Sequence, residues 1–351
     1  MAPSAAKDDV APTPLRVFYV SQTHPSHARA ALDYGQIIST HHEVVAEPEQ
    51  ADVAVFHIEP HAVAAALREY PALLGCHRIG YFVWEASDLP AAYVPVMRLV
   101  HEVWTPSQYC VNVFARHHAQ VWKVPHVAAR PPVSRDTATV VRQALGHDPA
   151  QLTLLAISKP ADPRKNTAQI LRVFPRVRAQ LPNVRLIVKN LRPEPLERAL
   201  ASPGVTFVEQ AIPDPEMTAL LQMASVLVSA HHAEGWGFNV SDAMSLGVPV
   251  VATAYSGNLE FTSDETAFAI PATEEPIRPE DRFGLFDGSM KWGYVSDDAL
   301  TDQLLAACRA VTEGRAAQRA ARARQTVEAF SLPNVAAVTL ERLSAVSARR
   351  R

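Results

Sequence analysis

Residues 231–253 read HHAEGWGFNVSDAMSLGVPVVAT, a glycine-rich bend followed by an apolar run. The segment SVLVSA just before the bend and the segment VPVVAT at its end predict buried strands, because both are short and rich in β-branched residues. Between them we expect a helix with Asn239 as its N-cap and Asp242 at the third helical position, as in a capping box. A strand, a helix and a second strand in this order are typical of a parallel sheet covered by helices.

The same alternation recurs along the chain. Further short apolar runs that predict strands are LRVFYVS (15–21), ADVAVFHI (51–58), RIGYFVW (78–84), HEVWTPS (101–107), LTLLAIS (152–158) and VRLIVKN (184–190). Segments with a helical spacing of apolar residues lie between them, as in NTAQILRVFPRVRAQL. The chain therefore predicts an α/β fold of two doubly wound domains in tandem, with two sheet edges facing one another across a cleft.

Pro131 and Pro132 interrupt this alternation, because proline suits neither a helix interior nor a central strand. We place the domain junction between Val127 and Pro149. The predicted organisation is a disordered lead-in, an N-terminal domain, a C-terminal domain and a C-terminal helix that closes the fold, at residues 1–14, 15–135, 150–330 and 331–351. The Ala- and Arg-rich end of the chain is interpreted as a solvated helix, with docking on an anionic surface as the alternative.

The composition argues against several classes of protein. The net charge of the 351 residues is −3 and nucleic-acid-binding motifs are absent, so we expect no nucleic-acid partner. Cys76, Cys110 and Cys308 are too few and too far apart for a disulfide framework or a zinc site, which indicates a reducing compartment. No apolar run approaches the ~18 residues of a membrane-spanning helix. We expect a cytoplasmic protein, with peripheral contact at the inner membrane face as its closest approach to lipid.

The glycine-rich bend contains residues of the kinds that bind anions and sugar hydroxyls. Gly235 and Gly237 leave backbone amides bare just before a helix N-terminus, a combination that forms an anion site suited to a diphosphate. Glu234 and Asp242 flank that site, where carboxylates can accept hydrogen bonds from sugar hydroxyls. The plainer alternative is that Asp242 only caps its helix and that Glu234 is a surface acid.

A basic segment, ISKPADPRKNTAQIL, follows the first predicted strand of the C-terminal domain. It contains Lys159 and Lys165, with Arg164 beside the second lysine. Two cations close to a departing nucleoside diphosphate would stabilise its developing charge. The alternative is a basic loop at a helix start, an arrangement that is unfavourable at a helix N-terminus unless an anion binds there.

The motif EGWGFNVSDAM resembles the Glu-x7-Glu motif of the family 4 glycosyltransferases, in which EGFGLPVLEAM is a common form. Glu234 matches the first glutamate, and Asp242 stands at the second with a side chain one methylene shorter. The segments YSGNLEF and KWGYVSDDALTDQL are also similar to the family, and the first half of the chain is similar more loosely. The resemblance implies a GT-B fold, with two Rossmann-like domains around an interdomain active site. It also implies sugar transfer from a nucleotide donor with retention of anomeric configuration.

The resemblance further implies roles for individual residues. Glu234 would contact the donor sugar, and Asp242 would hold the ribose hydroxyls. Lys159 and Lys165 would contact the diphosphate, with Arg164 adjacent. Backbone contacts to the sugar and phosphate would come from Gly235, Trp236, Gly237 and Phe238.

In the first domain, members of the family carry a histidine near a strand end that contacts the donor sugar. His57 and His61, on either side of Glu59, both fit that position, and the choice between them stays open. Glu85 lies at another predicted strand end, where it would face the acceptor. The sequence has no Asp-x-Asp pair to hold a metal, so the resemblance implies no metal and no cofactor beyond the nucleotide-diphospho sugar, which is a substrate.

Two other functions stay open at this point. Asp242, Lys159 and an altered first loop depart from the family pattern, as in a non-catalytic nucleotide-binding partner of an active glycosyltransferase. A nucleotide-sugar epimerase on the same fold is the other alternative, although no convincing acid–base pair of carboxylates is evident for it. The expected acceptor is a glycan, a glycolipid or another small molecule, in surface polysaccharide or glycoconjugate assembly. The donor base, the sugar and the oligomeric state stay open.

Overall fold

Two parallel sheets of six strands form the framework of the protein, in a computed structural model that describes residues 13–22, 25–131 and 133–349. The N-terminal sheet consists of β1 (Arg16–Ser21), β2 (Glu43–Val44), β3 (Val53–His57), β4 (His77–Tyr81), β5 (Glu102–Thr105) and β6 (Val121–Lys123). The C-terminal sheet consists of β7 (Leu152–Ile157), β8 (Val184–Lys189), β9 (Val205–Val208), β10 (Val226–Ser229), β11 (Val250–Thr253) and β12 (Phe268–Ile270). An antiparallel hairpin consists of β13 (Thr273–Pro276) and β14 (Lys291–Tyr294).

Helices cover both sheets. Those of the first half are α1 (Pro25–Ile38), α2 (Val63–Glu69), α3 (Gln108–Phe114) and α4 (Arg135–Ala144). Those of the second half are α5 (Thr167–Gln180), α6 (Pro195–Leu200), α7 (Asp214–Met223), α8 (Phe238–Ser245), α9 (Asp297–Thr312), α10 (Ala316–Val327) and α11 (Leu332–Arg349). None of the helices within the described residues has the length and apolar character needed to cross a membrane.

The strands form where the chain carries continuous apolar runs, because helices bury both faces of each sheet. Every residue of β3 and of β8 is buried. Alternate side chains serve opposite faces: Leu154 packs with α5 and α9, and Leu155 packs with α7 and α8. The junction expected between the domains contains α4, which packs against α7 of the C-terminal domain. Pro132 and residues 1–12 lie outside the described residues.

The order of the strands decides where a ligand can bind. The C-terminal sheet has the order β12-β11-β10-β7-β8-β9, so the direction of winding reverses between β7 and β10. The N-terminal sheet has the order β2-β1-β3-β4-β5-β6 and reverses between β1 and β3. Ligands of such sheets bind in the crevice beyond the carboxyl ends of the strands at this point. Here the segments that leave both switch points border one interdomain cleft.

The C-terminal helix returns to the N-terminal domain. Val335, Leu343 and Val346 of α11 are buried in the same apolar cluster as residues of α1 and β1. The Arg342 guanidinium ion-pairs with the buried Glu102 carboxylate at 2.8 Å and lies over the Trp122 ring. The predicted solvated helix is therefore two helices, α10 and α11, and α11 buries one face against α1 and β1 of the N-terminal domain.

Candidate functional site

The cleft between the domains holds a cavity of about 410 Å³. Lys159, Lys165 and Glu234 all line it, so the two cations and the acid singled out in the sequence share one crevice. The lysines leave the carboxyl end of β7, and Glu234 leaves the carboxyl end of β10. These are the two strands that flank the switch point of the C-terminal sheet, which explains the convergence.

The loop after β10 delivers a bare helix N-terminus to this cavity. Helix α8 begins at Phe238, and its N-cap is Gly237 with φ 97° and ψ 55°, a left-handed conformation that favours glycine. The expectation that Asn239 caps the helix is therefore wrong, because the turn into the helix is made two residues earlier. Gly237 has no side chain to occupy the first amides, and Phe238 and Asn239 line the cavity. An anion can therefore approach the positive end of α8.

Close packing fixes this loop against the N-terminal domain. A Cβ atom on Gly235 would lie 2.1 Å from Cγ1 of Val83, so no larger residue fits without displacement. The Ser107 hydroxyl, which also caps α3, donates to the Gly235 carbonyl at 2.7 Å. The loop that carries Glu234 in the C-terminal domain therefore packs directly on the N-terminal domain.

The segment YSGNLEF supports the same loop from behind. The Glu234 amide donates to Ser256 Oγ at 2.8 Å, and the Gly257 amide donates to the Glu234 carbonyl at 2.8 Å. The buried His231 and Asn258 side chains hydrogen bond to each other at 3.0 Å. Glu234 therefore projects from a backbone that is held on both sides.

The Glu234 carboxylate is held by two cations. It accepts a hydrogen bond from Lys165 Nζ at 2.5 Å and lies 3.4 Å from Arg164 Nη1. Burial alone would raise the pKa of this carboxyl, but Lys165 and Arg164 outweigh burial and lower its pKa to about 2. Glu234 is therefore ionised throughout the physiological range and can only accept hydrogen bonds.

Arg164 and Lys159 occupy different electrostatic positions. Arg164 is buried and lies 3.0 Å from the Asp162 carboxylate and 3.4 Å from that of Glu85, so carboxylates already surround it. Burial opposes its charge, but Glu85, Asp162 and Glu234 together raise the pKa of the Arg164 guanidinium. Lys159 is exposed to the cleft and forms no ion pair with any described residue. Lys159 is thus the cation most available to an incoming anion.

Asp242 lies away from the cavity. Its carboxylate is 1% exposed and accepts from Arg29 Nη1 at 2.7 Å and from Arg130 Nε at 2.8 Å. The sequence indicated neither partner, because Arg29 belongs to α1 and Arg130 to the interdomain segment. In this arrangement the Asp242 carboxylate joins the domains, and ribose binding by Asp242 stays a prediction.

The two histidines considered for the donor sugar do not line the cavity. His57 is 0% exposed and shares a 2.8 Å hydrogen bond with the Tyr19 hydroxyl, and burial lowers its pKa to about 3. His61 is exposed and packs beside Tyr93. The cavity is instead lined by His27 and His126, and the ring of His126 stacks on Phe238 with centroids 4.8 Å apart. Sequence reasoning missed both, because neither lies in the motif that resembles the family.

Phe283, Leu285 and Phe286 add an apolar wall to the cavity. Phe283, Leu285 and Phe286 lie between β13 and β14, and Phe286 stacks on Trp84 with centroids 4.4 Å apart. Glu85, expected near the acceptor, lines the same cavity. The sequence analysis did not identify this wall, although the aromatic cluster RFGLF at residues 282–286 is the signal that could have indicated it.

Residues 151–277, within the C-terminal domain, match the family described as glycosyl transferases, group 1. No curated protein matches the chain in sequence. Solved structures resemble it over nearly its whole length. HepE of Anabaena, in complex with UDP and glucose, shares 14% sequence identity and a TM-score of 0.66, over 94% of this chain and 100% of that one.

Two further structures show the same architecture. WaaG, a glycosyltransferase involved in lipopolysaccharide biosynthesis, shares 16% identity and a TM-score of 0.61, over 95% of this chain and 99% of that one. The pneumococcal O-GlcNAc transferase GtfA, in complex with UDP and GlcNAc, shares 14% identity and a TM-score of 0.61. This chain is matched over 91% of its length but spans only 60% of GtfA. The predicted GT-B fold, with two Rossmann-like domains and a cleft between them, is confirmed.

Proposed function

We propose that this protein is a glycosyltransferase that moves a sugar from a nucleotide-diphospho sugar to an acceptor hydroxyl with retention of anomeric configuration. The observation that carries the proposal is that Lys159, Lys165 and Glu234 line one cavity at the switch point of the C-terminal sheet. A free cation beside a bare helix N-terminus suits a diphosphate. An ionised acid next to that position suits the hydroxyls of the attached sugar.

The chemistry follows from these positions. The bond between the anomeric carbon and the diphosphate oxygen breaks, and the acceptor oxygen bonds to that carbon on the same face. The proton of the acceptor hydroxyl passes to an oxygen of the departing diphosphate. Lys159, Lys165 and the N-terminus of α8 stabilise the negative charge that develops there, in the place that a metal ion takes in other enzymes. Glu234 orients the sugar and transfers no proton, because its pKa is near 2.

The neighbours suggest which substrates to test first. HepE holds UDP and glucose, and GtfA holds UDP and GlcNAc, so uridine diphosphate hexoses are the donors we propose for this chain. WaaG is involved in lipopolysaccharide biosynthesis, which supports an acceptor from surface glycoconjugate assembly, met at the inner face of the membrane.

The test is release of nucleoside diphosphate from a panel of UDP-, GDP-, ADP- and dTDP-sugars, with and without sugar acceptors and with a chelator present. The Lys159→Ala and Lys165→Ala variants should each lower kcat by about 10²-fold or more, as removal of a transition-state charge partner does. Lys291→Ala is the matched control, because the Lys291 ammonium pairs with Glu274 on the surface and does not line the cavity. Proton NMR of the product reports whether the anomeric configuration is retained. Absence of turnover with every donor, or full activity of both cavity variants, would overturn the proposal.

A non-catalytic nucleotide-binding protein of the same fold is the second candidate, and one observation favours it. The Asp242 carboxylate, expected to hold the ribose, is taken up by Arg29 and Arg130. A protein of this kind would show raised melting temperature with a nucleoside diphosphate but no release of product from any donor. Turnover by the wild-type protein excludes it.

A further inference from the structure

One group of cavity-lining residues differs in chemistry from Lys159, Lys165 and the N-terminus of α8. We call it the aromatic end; it is formed by Trp84, Tyr93, Phe283, Leu285 and Phe286. Trp84 and Tyr93 follow β4 of the N-terminal domain. The other three residues lie between β13 and β14, in the hairpin of the C-terminal domain. The aromatic end therefore exists only where the two domains meet.

The hairpin is fastened to the N-terminal domain by specific hydrogen bonds. Trp292 Nε1 donates to the Glu85 carbonyl at 2.7 Å, and the Lys291 amide donates to Ser87 Oγ at 2.8 Å. Trp292 is fully buried in the same apolar cluster as Trp84. These contacts hold the hairpin residues of the aromatic end against the N-terminal domain.

The apolar side chains of the aromatic end are incompletely covered. Leu285 is 38% exposed, and Phe283 and Phe286 are half-buried. Trp84 and Tyr93, in contrast, are buried against the core. Rigid apolar and aromatic surface that lines a cavity suits the apolar face of a ring, such as the C–H face of a pyranose.

The polar group at the aromatic end is acidic. Tyr93 donates a hydrogen bond from its hydroxyl to Glu59 Oε2 at 2.9 Å, which orients that carboxylate in the cavity wall. No described cation forms an ion pair with Glu59, whereas Glu85 lies 3.4 Å from Arg164. An anionic ring placed here would meet an uncompensated like charge, and a neutral or amine-bearing ring would meet a hydrogen-bond acceptor.

We propose that the aromatic end together with Glu59 is the acceptor subsite, and that it selects a neutral or amine-bearing pyranose over a uronic acid or another anionic sugar. The apolar face of the ring lies on Phe283, Leu285 and Phe286, and its hydroxyls or amine donate to Glu59. This inference rests on the proposed function, since it assigns the acceptor of that same reaction. Because the hairpin belongs to the C-terminal domain and Glu59 to the N-terminal domain, both domains contribute to acceptor selectivity.

Titration calorimetry with three phenyl glycosides in the presence of UDP tests this directly. The probes are phenyl β-D-glucoside, the corresponding 2-amino-2-deoxyglucoside and phenyl β-D-glucuronide. The first two should bind, and the glucuronide should bind about tenfold more weakly, because one unpaired carboxylate faces it. Glu59→Gln should remove most of that difference. Leu285→Ser should weaken binding of all three about fivefold, whereas Leu196→Ser, at another exposed leucine that does not line the cavity, should change nothing.

Equal binding of all three glycosides, failure of all three to bind, or unaltered selectivity in Glu59→Gln would overturn the inference. Unchanged affinity in Leu285→Ser, in a variant shown to be folded by its melting temperature, would do the same. Failure of the proposed function is seen separately, as absence of nucleoside diphosphate release from every donor. Binding and turnover therefore report on the two proposals independently.

Discussion

Arg29 and Asp242 are 213 positions apart in the chain, yet Nη1 of Arg29 donates to the Asp242 carboxylate at 2.7 Å and Nη2 does so at 2.9 Å. The guanidinium also lies 4.7 Å from the centroid of the Phe238 ring. This contact joins α1 of the N-terminal domain to α8, the helix whose N-terminus faces the cavity. An ion pair therefore helps to fix the positions of the two domains on either side of the cleft.

Loss of Arg29 should destabilise the protein measurably. Arg29→Met leaves the buried Asp242 carboxylate with Arg130 as its remaining partner, so the free energy of unfolding should fall by about 2 kcal/mol. Chemical denaturation measures it. Arg172→Met is the matched control, because the Arg172–Asp297 pair lies at the surface and such pairs contribute about 0.5 kcal/mol or less. Equal effects of the two substitutions would show that Asp242 is solvated and not held between the domains.

Glu234 should make the protein sensitive to acid. Its pKa is lowered from an ordinary 4.5 to about 2, so its ion pairs contribute stability that is complete above pH 4.5 and is lost as the pH falls towards 2. The contribution is at most ~3 kcal/mol. The unfolding free energy of the Glu234→Gln variant should therefore decrease less than that of the wild type between about pH 6 and about pH 3. Denaturant titration at each pH measures it. The same substitution at the exposed Glu49 should leave the slope unchanged, and a slope unaffected in both variants argues against the ion pairs.

Substitutions of His126 and His57 should affect different properties, nucleotide affinity in the first case and stability in the second. His126 lines the cavity, so His126→Gln should weaken binding of a nucleoside diphosphate or donor about fivefold or more, as loss of a ligand-contacting group does. His57 lies behind the cavity wall, so His57→Gln should lower the melting temperature and leave nucleotide affinity nearly unchanged. Thermal shift with and without nucleotide measures both quantities. The reverse ranking of the two affinities would place His57 at the donor, as the family resemblance allows.

Gly235 should be intolerant of any side chain. Gly235→Ala places a Cβ 2.1 Å from Val83 Cγ1, so the loop that carries Glu234 must shift from its seat on the N-terminal domain. A misplaced site of this kind should lower activity about 10²-fold, measured as nucleoside diphosphate release. Gly35→Ala is the control, because a Cβ there meets no atom within 4 Å, and it should raise stability by about 0.5–1 kcal/mol in the helix. Wild-type activity in Gly235→Ala would show that the domains are not held this closely during catalysis.

Much of the cavity was predictable from the sequence. The alternation of apolar runs and helical segments predicts parallel strands, and the carboxyl ends of parallel strands share one edge of a sheet. Residues just beyond β7 and β10 therefore lie near one another, and the sequence alone predicts that Lys159, Lys165 and Glu234 share one cleft. The same reasoning failed at Asn239, because the left-handed turn at Gly237 lets the helix begin earlier.

The sequence by itself thus determined the two doubly wound domains and the side of the cleft that carries Lys159, Lys165 and Glu234, because periodicity and chain order act locally. The tertiary structure alone decided which side chains meet across the domains. Asp242 pairs with Arg29 and Arg130, which are 213 and 112 positions away in the chain. The β13–β14 hairpin packs on Trp84 in the same way, from a distant part of the sequence. At such separations sequence spacing carries no positional information. Such contacts depend on how two separately formed cores dock, and docking is set by packing and charge complementarity over whole surfaces.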